Sequence, residues 1–223
     1  LVLFGILAFT GCPSPALAQS AMQPTQTDLS EATSRPFSGW SEPGPLSEVG
    51  WPTVDQIKAK AYVVIDRTSS TVLLGLNESS IQYPASTTKI MTLLVAIENS
   101  SPKDIVTFTE TGIRDVTWDS SNINAQLGET MTMKDCWMAA YIKSANEVCA
   151  QIAETVGGTE ANFVEMMNQK AKELGCTHTH FANASGLPDE NHYSSAHDLA
   201  KIMRACLRNK RFRQVMKCSN YKI

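Results

Sequence analysis

Two short runs of residues carry types and spacings that could do chemistry. Ser86 stands three positions before Lys89 in Pro84-Ala85-Ser86-Thr87-Thr88-Lys89, and Ser144-Ala145-Asn146 follows 58 positions after Ser86. A serine hydroxyl is a poor nucleophile until a base takes its proton. A lysine can do so only when desolvation or nearby positive charge lowers its pKa toward neutrality. A spacing of three puts both side chains on one face of a helical turn. The stretch from Thr87 to Glu98 is apolar nearly all round, the pattern of a helix buried on every side, so a lysine at its start would be desolvated. Backbone N–H groups at a helix start also suit a developing oxyanion. By itself the Ser–Lys spacing is common, and an N-capping serine beside a solvent-facing lysine accounts for it equally. Ser144-Ala145-Asn146 alone reads first as a polar corner between two apolar helical stretches.

The surrounding elements must place these residues. Ala61 to Ile65 and Thr71 to Leu76 are β-branched and apolar, with turn-like Arg67-Thr68-Ser69-Ser70 between them, and predict a β-hairpin. Pro102 marks the end of the buried helix. Thr132 with Asp135 starts a helix running to about Ile142 in the manner of a capping box. Asn146 to Val156 is a second helix, closed by Gly157-Gly158. Thr159 opens a third, with Phe163, Met167, Ala171 and Leu174 at helical spacing and Gly175 as its stop. Ser195 with Asp198 opens a fourth, carrying Leu199, Ile202, Met203 and Cys206. A hairpin, a buried helix and a helical block make a mixed α/β (α+β) pattern without the strand–helix alternation of a parallel doubly wound sheet.

The chain has 223 residues, 43% of them hydrophobic, and a formal net charge of −3. That balance gives no support to nucleic-acid binding, which normally needs a basic stripe. Leu1 to Ala8 is an almost unbroken apolar run, the first charge is Asp28, and Ala16-Leu17-Ala18 supplies a small-x-small cleavage pattern. Residues 1–18 are therefore expected to be an export leader, with residues upstream missing. The rival reading makes Cys12 a lipidated cysteine. Residues 19–50, rich in Ser, Thr, Pro, Gln and Gly, read as a flexible linker, and 51–223 as the folded segment. Beyond the leader five cysteines remain, Cys136, Cys149, Cys176, Cys206 and Cys218. Their odd number and the apolar helical setting of Cys149 and Cys206 favour buried thiols over disulfides. His178 and His180 alternate in a loop or edge strand. No metal site and no cofactor are expected from them.

From about Ala61 to Arg213 the chain resembles the serine-type D-alanyl-D-alanine carboxypeptidases, the low-molecular-mass penicillin-binding proteins. The resemblance rests on ordered segments: Tyr83 to Thr92, Leu127-Gly128-Glu129, Ser144-Ala145-Asn146, Met167-Asn168, Leu174-Gly175, Phe181-Ala182-Asn183 with Gly186-Leu187, and His192 to Ala200. It implies a β-lactamase/D,D-peptidase-like fold, an antiparallel sheet packed by helices plus a helical subdomain. It implies Ser86 as the nucleophile toward D-Ala–D-Ala, Lys89 as the general base and Ser144 as a proton relay. Asn146 would bind the substrate carbonyl and orient Lys89. The substrate would be the pentapeptide of peptidoglycan, β-lactams would acylate Ser86, and the enzyme would act outside the cytoplasmic membrane. Anchoring through a further C-terminal segment is a family habit.

The same family needs a Lys-Thr-Gly strand for the substrate carboxylate, and no Lys-Thr-Gly occurs among these residues. The expectation is a chain truncated at both ends and lacking the C-terminal sheet strands, with Ser86 present and idle. A serine β-lactamase is the nearest rival. Its deacylating Glu would have to be Glu165 in Glu165-Met166-Met167-Asn168, which is wrongly spaced and lies in a well-patterned helix. A non-catalytic penicillin- or peptidoglycan-binding relative is the other alternative.

Overall fold

Residues 57–114 and 120–222 are described by the computed structural model. The leader expected over 1–18, the linker over 19–50 and the first residues of the folded segment lie outside the described residues. The chain divides into two units, Leu1–Ser80 and Ile81–Ile223.

In the first unit β1 (Tyr62–Ile65) and β2 (Val72–Leu76) pair antiparallel, Tyr62 opposite Leu76 and Val64 opposite Leu74. This is the expected hairpin. Its turn is organised one residue earlier than Arg67, by Asp66. The Oδ1 of that residue accepts from the N–H groups of Thr68 at 3.0 Å and Ser69 at 2.6 Å. A short acidic side chain bonding its own backbone two and three residues on is a standard way to start a turn. Ser70 then takes a left-handed conformation, φ 66°, to re-enter the ladder.

The second unit is helical around a buried centre. A 3-10 turn, Ala85–Thr88, leads into α1 (Lys89–Asn99). Thereafter come β3 (Ile105–Thr107), α2 (Glu110–Ile113), β4 (Thr130–Thr132), α3 (Met133–Ile142), α4 (Asn146–Gly157), α5 (Glu160–Glu173), α6 (Ala196–Arg208) and α7 (Lys210–Met216). α1 touches α3, α4, α5, α6 and α7. Its Met91, Leu93, Leu94, Val95, Ala96 and Ile97 are all buried. Each of the larger side chains stabilises the fold by roughly 1.5–3 kcal/mol. The all-round apolar pattern of the sequence thus has the expected outcome.

The difference lies at the start of this helix. The sequence predicts regular helix from Thr87, whereas the chain makes a tighter 3-10 turn first, entered through Ala85 at φ 47°. In a 3-10 turn positions i and i+3 eclipse, which brings Ser86 and Lys89 closer than an α-helix would. The short β3–β4 pair, with Val106 opposite Met131, and α2 and α7 carry too few residues for periodicity to reveal them.

The helix ends follow their chemistry. The side chains of Thr132, Thr159 and Ser195 accept from the N–H groups of Asp135, Asn162 and Asp198 respectively. Gly158 and Gly175, at φ 76° and 73°, end α4 and α5. Thr159 is the cleanest cap to test because it stands away from the residues around Lys89. Thr159→Ala should lower unfolding stability by about 1 kcal/mol, read as a lower urea midpoint with an unchanged slope.

Candidate active site

Three stretches remote in sequence meet around one amine. Lys89, the first residue of α1, is only 4% exposed. Its Nζ donates to Asn146 Oδ1 at 2.8 Å, to the Ser185 carbonyl at 2.7 Å, and lies 3.2 Å from Ser86 Oγ. Burial pushes the Lys89 pKa below its ordinary value, while Cys149 and Glu147 act in the opposite direction. A charged ammonium would satisfy three acceptors with three N–H bonds. The neutral amine needs only two, for Asn146 Oδ1 and the Ser185 carbonyl, neither of which can donate in return. Its lone pair is then left facing the Ser86 hydroxyl. The arrangement can accept a proton from Ser86, and Ser86 itself is exposed at the surface.

Asn146 owes its place to the corner between α3 and α4. Ser144 adopts φ 56° there, so the chain turns sharply before α4 begins. The N–H of Asn146 is held by the Ser121 carbonyl at 2.8 Å. Next to it Glu147 is fully buried and its Oε1 accepts from the Ile123 N–H at 2.6 Å. Ser144, Ser86 and Lys89 line one cleft of about 300 Å³ together with Ile90, Leu93 and Tyr141. All four residues singled out in the sequence are thus brought together, with Ser144 on the cleft wall and Asn146 behind it on Lys89.

The third stretch was not named as a site by its residues. Loop 181–187 passes beside the nucleophile turn with its backbone carbonyls inward: Ala184 takes the Thr92 hydroxyl at 2.6 Å and Ser185 takes Lys89. Asn183 Oδ1 gathers the N–H groups of Ser185, Gly186 and Leu187. Gly186, at φ 87°, lies so close to Ala85 that an added Cβ would sit 1.9 Å from its carbonyl oxygen. Only glycine permits that approach. His192 is buried behind the turn, its Nε2 2.7 Å from Thr88 Oγ1 and its Nδ1 accepting from the Ala182 N–H at 3.1 Å. A backbone carbonyl used as a ligand leaves no mark on residue type, which is why Ser185 could not be picked out. The Asn183–Gly186 spacing was the available signal.

Other candidates are accounted for locally. Glu165 is exposed on α5, and Asn168 bonds both backbone groups of Phe181. That geometry makes this run an anchor for loop 181–187. His178 and His180 each bond within their own loop, to Thr177 and to the Asn191 carbonyl. The five cysteines are unpaired thiols, four of them buried, and burial pushes Cys136, Cys149 and Cys176 up to about 12.

Comparison with known proteins points one way. Residues 48–223 match the family described as D-alanyl-D-alanine carboxypeptidase. The chain is 38% identical over 153 residues to the D-alanyl-D-alanine carboxypeptidase DacF of Bacillus subtilis, covering 68% of this chain and 39% of that protein. It is 36% identical over 158 residues to DacA of Haemophilus influenzae, covering 67% and 39%. Among solved structures it resembles penicillin-binding protein 5 from Haemophilus influenzae, with a TM-score of 0.72 and 31% identity over 78% of this chain and 52% of that one. The D,D-peptidase-like fold is therefore shown. The chain spans about 39% of the length of these curated relatives.

The buried imidazole generates a pH prediction. Desolvation lowers the His192 pKa from 6.5 to about 4, with Asp189 opposing that shift and His180 adding to it. Between those values the unfolded chain binds the proton and the folded one does not. Stability should be full above about pH 6.5 and fall as pH drops toward 4. Urea unfolding at several pH values should show this slope, and it should be shallower in His192→Gln.

Proposed function

Since the chain belongs to the D-alanyl-D-alanine carboxypeptidase family, we propose that its full-length protein is a serine D,D-carboxypeptidase that removes the terminal D-alanine from peptidoglycan stem peptides. The observation that carries this reading is the buried Lys89 amine, with two fixed acceptors and Ser86 Oγ at 3.2 Å. Ser86 Oγ attacks the carbonyl carbon of the D-Ala–D-Ala amide as Lys89 takes its proton. The tetrahedral intermediate collapses, the C–N bond breaks, and the leaving amine receives a proton relayed through Ser144. An ester on Ser86 remains, D-alanine departs, and water hydrolyses the ester. Asn146 has committed Oδ1 to Lys89, so its amide nitrogen is the group suited to donate to a substrate carbonyl.

A β-lactam offers the same amide in a strained ring and acylates Ser86. This substrate places the enzyme outside the cytoplasmic membrane, in keeping with the apolar leader-like run at Leu1 to Ala8. Among the described residues no helix is long and apolar enough to cross a membrane. The group that meets the substrate carboxylate is not supplied by a Lys-Thr-Gly among the 223 residues. We place that role in the full-length protein.

Full-length protein should release D-alanine from diacetyl-Lys-D-Ala-D-Ala and take up one fluorescent penicillin per chain. Both reactions should be lost in Ser86→Ala. Lys89→Ala should slow acylation by about 10²-fold or more at neutral pH. In the wild type, acylation should rise with pH as Lys89 loses its proton, with a midpoint below the ordinary lysine value of 10.5. Rapid multiple turnover of nitrocefin would instead make the protein a β-lactamase. Penicillin labelling without D-alanine release would make it a binding relative.

A further inference from the structure

We infer that His192 is a positioning residue for the Ser86–Lys89 pair, holding the nucleophile turn and loop 181–187 in one register through its two ring nitrogens. This deepens the function proposed above and rests on Ser86 as nucleophile and Lys89 as base.

The geometry is specific. Thr88 stands between Ser86 and Lys89 in the 3-10 turn and is fully buried. Its hydroxyl meets His192 Nε2 at 2.7 Å across 104 positions of sequence. The other nitrogen, Nδ1, accepts from the Ala182 N–H at 3.1 Å and therefore carries no proton. In a neutral ring the proton is then on Nε2, which donates to Thr88 Oγ1. The imidazole is a rigid spacer with one bond to the turn and one to the start of the loop. Its own backbone N–H is tied to the Asp189 carbonyl at 3.1 Å, and its ring meets Phe181 edge-on with centroids 5.7 Å apart. The ring has little room to drift, being 2% exposed.

The register it sets reaches the chemistry at two points. Three residues beyond Ala182, the Ser185 carbonyl receives one Lys89 N–H at 2.7 Å. One residue further, Gly186 lies against the Ala85 carbonyl, with no room for even a methyl group. A shift of the loop by a fraction of an ångström would therefore press on Ala85, just before Ser86, and pull an acceptor away from Lys89. With that acceptor gone, the amine can turn its lone pair away from Ser86. Neither Thr88 nor His192 is among the residues lining the cleft. Both therefore act through the pair and not by touching a substrate. A fully hydrogen-bonded core histidine with no such role is the bland alternative, and it predicts a loss of stability alone.

The two readings separate in full-length protein reacting with a fluorescent penicillin, followed by stopped flow so that the acylation rate constant is resolved from the preceding binding constant. His192→Leu and Thr88→Val should each lower the acylation rate constant about tenfold to a hundredfold, as expected of a misplaced reacting pair, with binding nearly unchanged. The double variant should be no slower than the slower single one, because both remove the same bond. Thr88→Ser and His192→Gln, which keep a hydroxyl and a donor, should recover most of the rate. An independent readout needs no activity: in a ¹³C-lysine NMR titration, the Lys89 midpoint should move further below its ordinary value in His192→Leu, because the buried ammonium loses an acceptor, and stay in place in Thr88→Ser. Folded His192→Leu with a wild-type acylation rate and a wild-type Lys89 midpoint would overturn the positioning role. If wild type itself fails to react at Ser86, the proposed function falls, and the titration still decides for or against His192.

Discussion

Lys89 is a cationic side chain placed almost wholly out of water at the start of an apolar helix, held by a carbonyl, an amide oxygen and a hydroxyl. Taking an ammonium out of water is costly unless its N–H bonds are all met. The three acceptors reduce that cost, and what remains lowers the pKa. The features that would make the amine a base are therefore the ones that make it expensive to bury. Each neighbouring element can be understood as meeting this constraint. α1 supplies the apolar surroundings, the corner before α4 supplies Asn146, and loop 181–187 supplies a backbone carbonyl.

Strained backbone accompanies these acceptors. Ala85 at φ 47° and Ser144 at φ 56° are non-glycine residues in left-handed conformation, each next to or at a residue of the site. Such conformations cost on the order of 1 kcal/mol or more and persist only where the surroundings over-determine them. Here the surroundings do so. Ala85 is pressed by Gly186, and the segment after Ser144 is pinned by the bond from the Asn146 N–H to the Ser121 carbonyl. The loop that presses on Ala85 is itself fastened by Asn168, Asn183 and His192. The strain at Ala85 and the loop opposite it are thus two sides of one packing arrangement.

Buried polar groups around the site are matched with little redundancy. Asp198 is fully buried, yet it takes the His178 N–H, the Thr179 hydroxyl and Lys201, which hold its carboxyl below the usual range despite desolvation. Glu147 differs, because its Oε1 is bonded while its Oε2 has no partner among the described residues. Two residues along α4, Cys149 remains a thiol whose pKa burial pushes up to about 12. An inert buried thiol fits this position beside Lys89, where a second ready nucleophile would compete with Ser86.

Much of this was legible in the residues themselves. The apolar run from Ile90 to Ile97, the caps at Thr132, Thr159 and Ser195 and the stops at Gly158 and Gly175 are local effects, and local effects are written in local sequence. The types and spacing of Ser86 and Lys89 admit a nucleophile–base pair, but it is the ordered set of family-like segments from Tyr83 to Ala200 that singles them out and gives Ser144 and Asn146 roles. Tertiary structure decided the rest. The 3-10 entry to α1 depends on Gly186 meeting Ala85 across 101 positions, so no window around Ser86 could show it. The Ser185 carbonyl and the His192 bond to Thr88 are likewise long-range. One is a backbone group common to every residue, and the other is a side chain whose meaning comes only from what it faces. Spacing along the chain can place two groups on one turn. Only packing can take a lysine out of water and fix which way its lone pair points.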